Sequence, residues 1–318
     1  MKSGQWKFVY ATDMQPGSPK SYRFRPGWAE NWQTARNQIM QIKPDVMLIG
    51  GDVTRDGSIH KWELQEMKGN LDRMGVPYYV VPGNMDTGNK HTNRQGAFEN
   101  RDDISLNITS EQLKNWKDVF GDWKWTFTHE NVRVSGFCDM LVNSGLPEEK
   151  ELWDWLEEQK KHPRTEHHIW IMHYALFIDR PDEPNWDITK PEEYLKWYFT
   201  VDMPGRGKLM EIFKATGATR VVSGHVHCQH DSVFQGIRFD CAPAICGTQF
   251  TDVWPEGKGK QGFYVYHAEG QQLNREFVPL EKISARTDGY GPGGHPKPED
   301  RDYSIAWEKP SRSQDPGC

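Results

Sequence analysis

Short apolar runs and amphipathic stretches alternate along the first part of this chain. Residues 8–11, 46–49 and 78–81 are apolar and β-branched, as strands require, while 29–42 and 60–74 carry apolar residues at helical spacing. Such alternation predicts an α/β fold of parallel strands joined by right-handed crossovers. Residues 87–122 read as a polar insertion, in which Thr109-Ser110-Glu111-Gln112 carries the capping signature of a helix start. Paired strands are predicted at 125–129 and 132–137, then a helix over 148–160 with Leu152, Trp153 and Leu156 at helical spacing, a strand at 168–171 and a strand at 220–222. Between the last two strands, 178–206 is rich in Pro, acidic and aromatic residues, which suits a lid or substrate loop. Several short strand patterns between 228 and 278 suffice for a second sheet. From Ser284 onward Gly, Pro and charged residues dominate, so the pattern predicts one domain over 1–283 and an irregular arm or disordered tail over 284–318.

Five strand runs are each followed at once by side chains able to bind metal: Asp13-Met14-Gln15, Gly51-Asp52, Gly83-Asn84-Met85-Asp86, Met172-His173 and Gly224-His225-Val226-His227. Ligands of open α/β sheets gather at the carboxyl ends of strands, so these segments are expected to converge. A two-metal site holds its ions about 3.5–4 Å apart, and one carboxylate can bridge them. Asp52 is the natural bridge. Asp13 and Gln15, with His227, are expected at one ion, and Asn84, His173 and His225 at the other. Water trapped between two such cations is deprotonated near neutral pH and can attack phosphorus in line with the leaving group. Asp52, Asn84 and His225 are the expected catalytic residues, the last two stabilising developing charge.

Composition narrows the alternatives. The chain has 318 residues, 36% hydrophobic and 26% charged, as in ordinary soluble globular proteins. A formal charge of -6 and a pI near 6.1 argue against nucleic acid as a partner. No run approaches the roughly 18 apolar residues of a membrane span, and Met1-Lys2-Ser3-Gly4-Gln5 lacks the apolar core of a signal peptide. The expectation is a cytoplasmic chain without a membrane partner, or an exported one if a leader precedes it. Cys138, Cys228, Cys241, Cys246 and Cys318 show no CxxC spacing, which points to buried free thiols and not to a disulfide framework or zinc ribbon. Trp116, Trp123, Trp125, Trp153 and Trp155 fall in patterned segments and are expected to pack.

In this order the five segments resemble the calcineurin-like metallophosphoesterase superfamily, whose motifs run D-x-H, G-D, G-N-H-[DE], H and G-H-x-H. The resemblance covers residues 6–280. It implies a four-layer α/β/β/α sandwich of two mixed sheets, two divalent metal ions (Mn, Fe, Mg or Zn), and hydrolysis of a small phosphate-ester substrate. Gln15 stands where the superfamily usually has histidine; its amide oxygen is a harder donor that favours Mn, Mg or Fe over Zn. A Gln here, together with residues 198–227, is similar to the branch of calcineurin-like phosphoesterase domain-containing (complete S-transactivated) proteins. Purple acid phosphatases carry an iron-binding Tyr where this chain has Arg55, so no purple colour is expected. Met85 replaces the histidine that in the family contacts phosphate and protonates the leaving oxygen. Methionine can do neither, and general-acid help is worth roughly 10²- to 10⁴-fold in rate. The resemblance therefore leans towards small phosphodiesters or activated esters, with a phosphomonoesterase, including a phosphoserine or phosphothreonine phosphatase, as the alternative. A non-catalytic metal-binding scaffold ranks last, because scaffolds erode their ligands. Asp86 would orient the missing histidine.

Arg55, Arg94, Arg180 and Arg206 are candidate phosphate clamps, since a guanidinium matches phosphate oxygens in a bidentate way; a solvated surface position is the ordinary alternative for each. His91 is a candidate replacement acid. Tyr174, with Trp186, Trp197, Tyr198, Phe250 and Trp254, is a candidate wall of a substrate pocket, with plain loop packing as the competing reading. Arg55, His91, Tyr174 and Arg206 form the expected substrate-binding set. The acidic residues Asp179, Asp182, Glu183 and Asp187 disfavour densely charged substrates.

Overall fold

Strands β1 (Gln5–Ala11), β2 (Val46–Ile49) and β3 (Tyr78–Val80) alternate with helices α1 (Pro26–Ile42) and α2 (Lys61–Asp72), as the apolar periodicity predicts. The structure is a computed structural model and describes residues 5–19, 21, 23–92 and 104–289. A single helical turn, α3 (Asn84–Thr87), follows β3. Helix α4 (Ser110–Phe120) starts at Thr109, whose hydroxyl accepts from the Gln112 N–H at 3.3 Å while the Gln112 side-chain Oε1 accepts from the Thr109 N–H at 3.0 Å. After it come β4 (Lys124–His129), β5 (Val132–Phe137), α5 (Pro147–Gln159), β6 (His167–Ile171), α6 (Pro191–Phe199), α7 (Gly205–Ala215), β7 (Arg220–Ser223), β8 (His230–Phe234), β9 (Ile237–Cys241), β10 (Gly262–Glu269) and β11 (Gln272–Pro279).

Two mixed sheets result, in the orders β11-β10-β1-β2-β3 and β4-β5-β6-β7-β9-β8. In the first, β1, β2 and β3 are parallel and β10 joins β1 antiparallel. In the second, β5, β6, β7 and β9 are parallel, with β4 and β8 antiparallel at the edges. The strands after residue 228 do not make a sheet of their own, as the pattern had suggested. Instead β8 and β9 extend the second sheet, and β10 and β11 return to the first.

Strand alternation divides the apolar side chains between two faces. Phe8, Tyr10, Leu48, Val132, Val134, Ile169, Ile171, Val222, Tyr264 and Tyr266 share one cluster, in which the two sheets meet. Their neighbours Val9, Ala11, Met47, Ile49, Trp170, Val221 and Val265 belong to another, with Trp32, Ala35 and Ile39 of α1, Leu64 and Leu71 of α2, Leu152 and Leu156 of α5, and Leu209 and Phe213 of α7. Helices therefore cover the outer faces, the four-layer arrangement expected for this fold. Strands buried on both sides read as continuous apolar runs, which is why β2 and β6 were legible.

The 178–206 segment is not wholly irregular, since α6 lies within it. The start of the expected tail lies against α1: Ser284 donates its N–H to Asn31 at 2.7 Å and its hydroxyl to Glu30 at 2.6 Å. Residues 290–318 lie outside the described residues. No described helix is long and apolar enough to cross a membrane.

Candidate metal centre

At the carboxyl ends of β1, β2 and β7 the backbone turns sharply. Asp13, Gln15, Asp52, His225 and His227 all sit at positive φ, between 39° and 65°. Non-glycine residues are uncommon there, at a cost of about 1–3 kcal/mol each, and persist where the surroundings over-determine them. The turns are knitted together by the Asp13 N–H donating to the Gly51 carbonyl (3.1 Å) and the Gln15 N–H to the Asp52 carbonyl (3.2 Å).

The side chains so placed form two groups of buried ligand atoms, each within 4.8 Å: Asp13, Asp52 and His227, and Asp52, His173 and His225. Asp52 is common to both, as a bridge would be. Its Oδ1 lies 3.2 Å from Nε2 of His173 and accepts the Met85 N–H at 2.8 Å. Oδ2 of Asp13 accepts from the Thr12 hydroxyl (2.8 Å) and the His225 N–H (2.9 Å). Oδ1 of Asp13, 3.2 Å from Nε2 of His227, is a buried oxygen with no other polar partner among the described residues. A carboxylate oxygen buried in that state fits a cation.

Backbone carbonyls orient two of the histidines. Nδ1 of His173 lies 2.8 Å from the Gly50 carbonyl, and Nε2 of His225 lies 3.1 Å from the Tyr198 carbonyl. A carbonyl only accepts, so in the neutral rings Nε2 of His173 and Nδ1 of His225 are the nitrogens left for a metal. Asn84 turns its Nδ2 to Asn89 Oδ1 (3.0 Å) and Tyr198 Oη (3.1 Å), which leaves its Oδ1 beside His173 Nε2 at 3.0 Å. The charges respond to this crowding. Burial disfavours a charged His173, yet the Asp52 carboxylate outweighs it and holds the ring up at about 10. Burial likewise opposes charge on His227, and Cys246 and Asp13 raise it well above the usual range. Burial and the neighbouring His173 push His225 far down. The cluster thus concentrates carboxylate charge that histidines balance.

Two buried carboxylates outside the expected ligand set hold the loops: Asp86, expected only to orient a histidine that Met85 replaces, and Asp139, for which the sequence carried no expectation. Asp86 accepts from the N–H groups of Val53 (3.2 Å), Thr54 (2.9 Å) and Gly83 (2.9 Å), and from the Thr54 hydroxyl (2.6 Å), clamping the Asp52 loop to the Asn84 turn. Asp139 accepts from the N–H groups of His173 (2.7 Å) and Tyr174 (2.8 Å). An acidic residue right after the apolar run 132–137 was the available signal for Asp139. Gln249 and Cys246, at 2.9 and 3.5 Å from Nδ1 of His227, were also missed.

The remaining expectations divide. Gln15 lies in the cluster, but its Oε1 accepts from Arg55 Nη1 at 3.0 Å and its Nε2 faces Asp52 Oδ2 at 2.9 Å, against the expectation of an oxygen turned to a metal. Arg55 is buried behind Gln15, stacked over Trp28 at 4.5 Å, with Nε donating to the Arg23 carbonyl. It is not presented to a substrate. Arg206 is also fully buried and donates to Glu183, bracing the 178–206 segment; this corrects its reading as a substrate contact. Arg180 is exposed and paired with Asp182, and Arg94 lies outside the described residues. The His91 ring is 2.8 Å from the Ile108 carbonyl, and no described contact joins it to Asn84, Met85 or His225. Tyr174, Tyr198 and Phe199 pack around the His225 ring at 4.1, 4.9 and 5.2 Å. Trp254 stacks on His230, so packing is the better reading there. Trp186 and Trp197 do line a cavity of about 670 Å³, with His91, Asn107, Asn143 and Asn185.

Comparison with known proteins agrees with the motifs and the geometry. Calcineurin-like phosphoesterase, as a family, matches residues 7–229. The chain is 25% identical over 312 residues to the serine/threonine-protein phosphatase CPPED1 of Danio rerio, covering 89% of this chain and 88% of that one. Over 195 residues it is 26% identical to the "Probable glycerophosphodiester phosphodiesterase GpdQ" of Arcobacter nitrofigilis, covering 59% and 58% of the two chains. In structure it is similar to the purple acid phosphatase PPD1 of yellow lupin, with a TM-score of 0.59 at 14% identity over 91% of this chain and 53% of that one. Members of this family use a dinuclear divalent metal site, and the residues gathered here are of the type and number to hold one. With the matched segment spanning most of the sheet framework, the chain belongs to the calcineurin-like phosphoesterase family and is a metal-dependent phosphoester hydrolase.

Proposed function

We propose that this chain hydrolyses small phosphodiesters or esters with good leaving groups, at a centre where Asp13, Asp52 and His227 hold one divalent ion and Asp52, Asn84, His173 and His225 hold a second. Ions bound there would supply Lewis acidity and a deprotonated water at neutral pH. The residues of the chain do the rest. Asp52 spans both groups, the Tyr198 carbonyl fixes the His225 ring, and Asn84 is locked with its oxygen inward.

The observation that carries the substrate reading is Met85. Its side chain is buried beside Asn84, with Sδ 3.6 Å from Nδ2, at the place where a proton donor to the leaving group would stand. Thioether sulfur has no proton to give. A poor alkoxide leaving group would depart unaided, whereas an activated one needs no acid.

Likeness to CPPED1 across 89% of the chain favours a second reading, a phosphoprotein phosphatase. Metal-free protein reloaded with Mn, Fe, Zn or Mg separates the two when offered p-nitrophenyl phosphate and its bis-p-nitrophenyl diester, with Asp52→Asn as control. Preference for the diester, lost in the control, is expected; preference for the monoester would overturn the diesterase reading.

A further inference from the structure

Two side-chain amides border the centre, and their surroundings hold them in opposite senses. Around Asn84 the neighbours of Nδ2 are acceptors, Asn89 Oδ1 and Tyr198 Oη, so the oxygen faces inward. Around Gln15 the order is reversed. The guanidinium of Arg55 has donors only, and it lies 3.0 Å from one terminal atom of the amide. The other terminal atom lies 2.9 Å from Oδ2 of Asp52, an acceptor when ionised, and 3.4 Å from Nε2 of His227. Only one orientation satisfies both partners: Oε1 towards Arg55 and Nε2 towards Asp52. Turning the amide over would set NH₂ against the guanidinium and oxygen against the carboxylate, breaking two charge-assisted hydrogen bonds at once.

Arg55 cannot move aside cheaply. It is 1% exposed, its Nε donates to the Arg23 carbonyl at 3.1 Å, and its plane stacks on the Trp28 ring at 4.5 Å. Gln15 itself is 1% exposed and held at φ 39°, so its backbone gives the side chain little freedom to approach from another direction.

We infer that Gln15 is not a metal ligand but a positioning residue: Arg55 holds its amide so that Nε2 donates to Asp52 and orients the shared carboxylate. This rests on the two-metal reading given above. It leaves the Asp13 group with three protein ligands, Asp13, Asp52 and His227, against four for the Asn84 group, so the two positions should load unequally. It also removes the basis for expecting a hard, oxygen-preferring metal at the first position, because no amide oxygen is offered there.

The test is titration of the metal-free protein with Co²⁺, following both the dissociation constants and the visible d–d absorption, which reports the atoms bound to the ion. Wild type is expected to load two ions in two steps. Gln15→Met should leave the band positions of both steps in place, whatever it does to the constants. Arg55→Met frees the amide to turn its oxygen inward, so it should shift the bands of the weaker step and tighten that step more than tenfold. The gain should vanish in Arg55→Met/Gln15→Met. A band shift in Gln15→Met alone would place Gln15 in the coordination sphere and overturn the inference, even if Arg55→Met failed to fold. Two-step loading with that shift would leave the two-metal reading standing, whereas no Co²⁺ uptake by wild type would remove both.

Discussion

Removing the Asp139 carboxylate should destabilise the protein through the His173 turn. Asp139 is 2% exposed, and its two oxygens accept the N–H groups of His173 and Tyr174 at 2.7 and 2.8 Å. In Asp139→Ala both N–H groups lose their partner in a buried turn, and a buried donor without a partner costs about 1–3 kcal/mol, so the loss should be about 2–6 kcal/mol. That is a large share of the roughly 5–15 kcal/mol that holds a domain folded. Asp139→Asn keeps one oxygen and presents NH₂ to the other N–H, so about half of the loss should return. Urea unfolding of metal-free wild type and both variants measures this, with unchanged denaturant slopes certifying that midpoints report stability. Hydrogen exchange at the His173 and Tyr174 amides gives the local readout and should accelerate in both variants. A loss below about 1 kcal/mol in Asp139→Ala, with those amides still protected, would refute the clamp.

Acid should act through His168, which is buried between Ser135 Oγ (3.0 Å) and the Thr216 carbonyl (3.3 Å) and is held down to about 3 by burial and the Arg133 charge. The unfolded ring takes a proton near 6.5 and the folded ring only near 3, so stability should fall as pH drops through that window, by about 2 kcal/mol at pH 5 at 1.36 kcal/mol per pH unit. His168→Gln should lose less stability than wild type between pH 7 and pH 5 in urea unfolding; an equal loss would show that His168 is not the group responsible. In the metal centre, Met85→His returns a proton donor beside Asn84 and should raise kcat for phenyl phosphate at least tenfold while changing p-nitrophenyl phosphate turnover little. Equal gains on the two substrates would mean that leaving-group protonation is not what Met85 lacks.

Much of this was written locally in the chain. The apolar runs at 46–49 and 132–137 are the strands β2 and β5 to the residue, and Thr109 caps α4 as its sequence signature requires. Asp13, Gln15, Asp52, Asn84, His173, His225 and His227 all reach one cluster because each follows a strand whose end lies at the same edge of the sandwich. What was not legible depends on distant partners. Alternation marks β8 to β11 as strands but carries no information about which sheet receives them, and that is settled by β9 pairing with β7 and β10 with β1. Helix α6 had its signals, Pro191 at the start, two glutamates in the first turn and Tyr194, Trp197 and Tyr198 at helical spacing, but they sat inside a segment whose composition suggested a loop. The direction of the Gln15 amide is the sharpest case. Nothing near residue 15 specifies it, because a guanidinium forty positions along the chain does.

The motif glycines show why a site can be read from sequence at all. A Cβ on Gly83 would lie 2.1 Å from Asp52 Oδ1, and one on Gly224 would lie 2.1 Å from Thr12 Oγ1 and 2.5 Å from Asp13 Oδ2. These contacts are far closer than any real Cβ tolerates, so the two turns can approach the ligand carboxylates only where the side chain is absent. Five ligand-bearing or adjacent residues are meanwhile forced to positive φ by the same convergence, at a local cost that strand pairing and the Asp86 and Asp139 clamps must offset. Gly-Asp, Gly-Asn and Gly-His-x-His are therefore packing signatures as much as chemical ones. The ligand supplies the donor atom, and the glycine beside it supplies the space that lets four strand ends and the turn after β3 share one small volume.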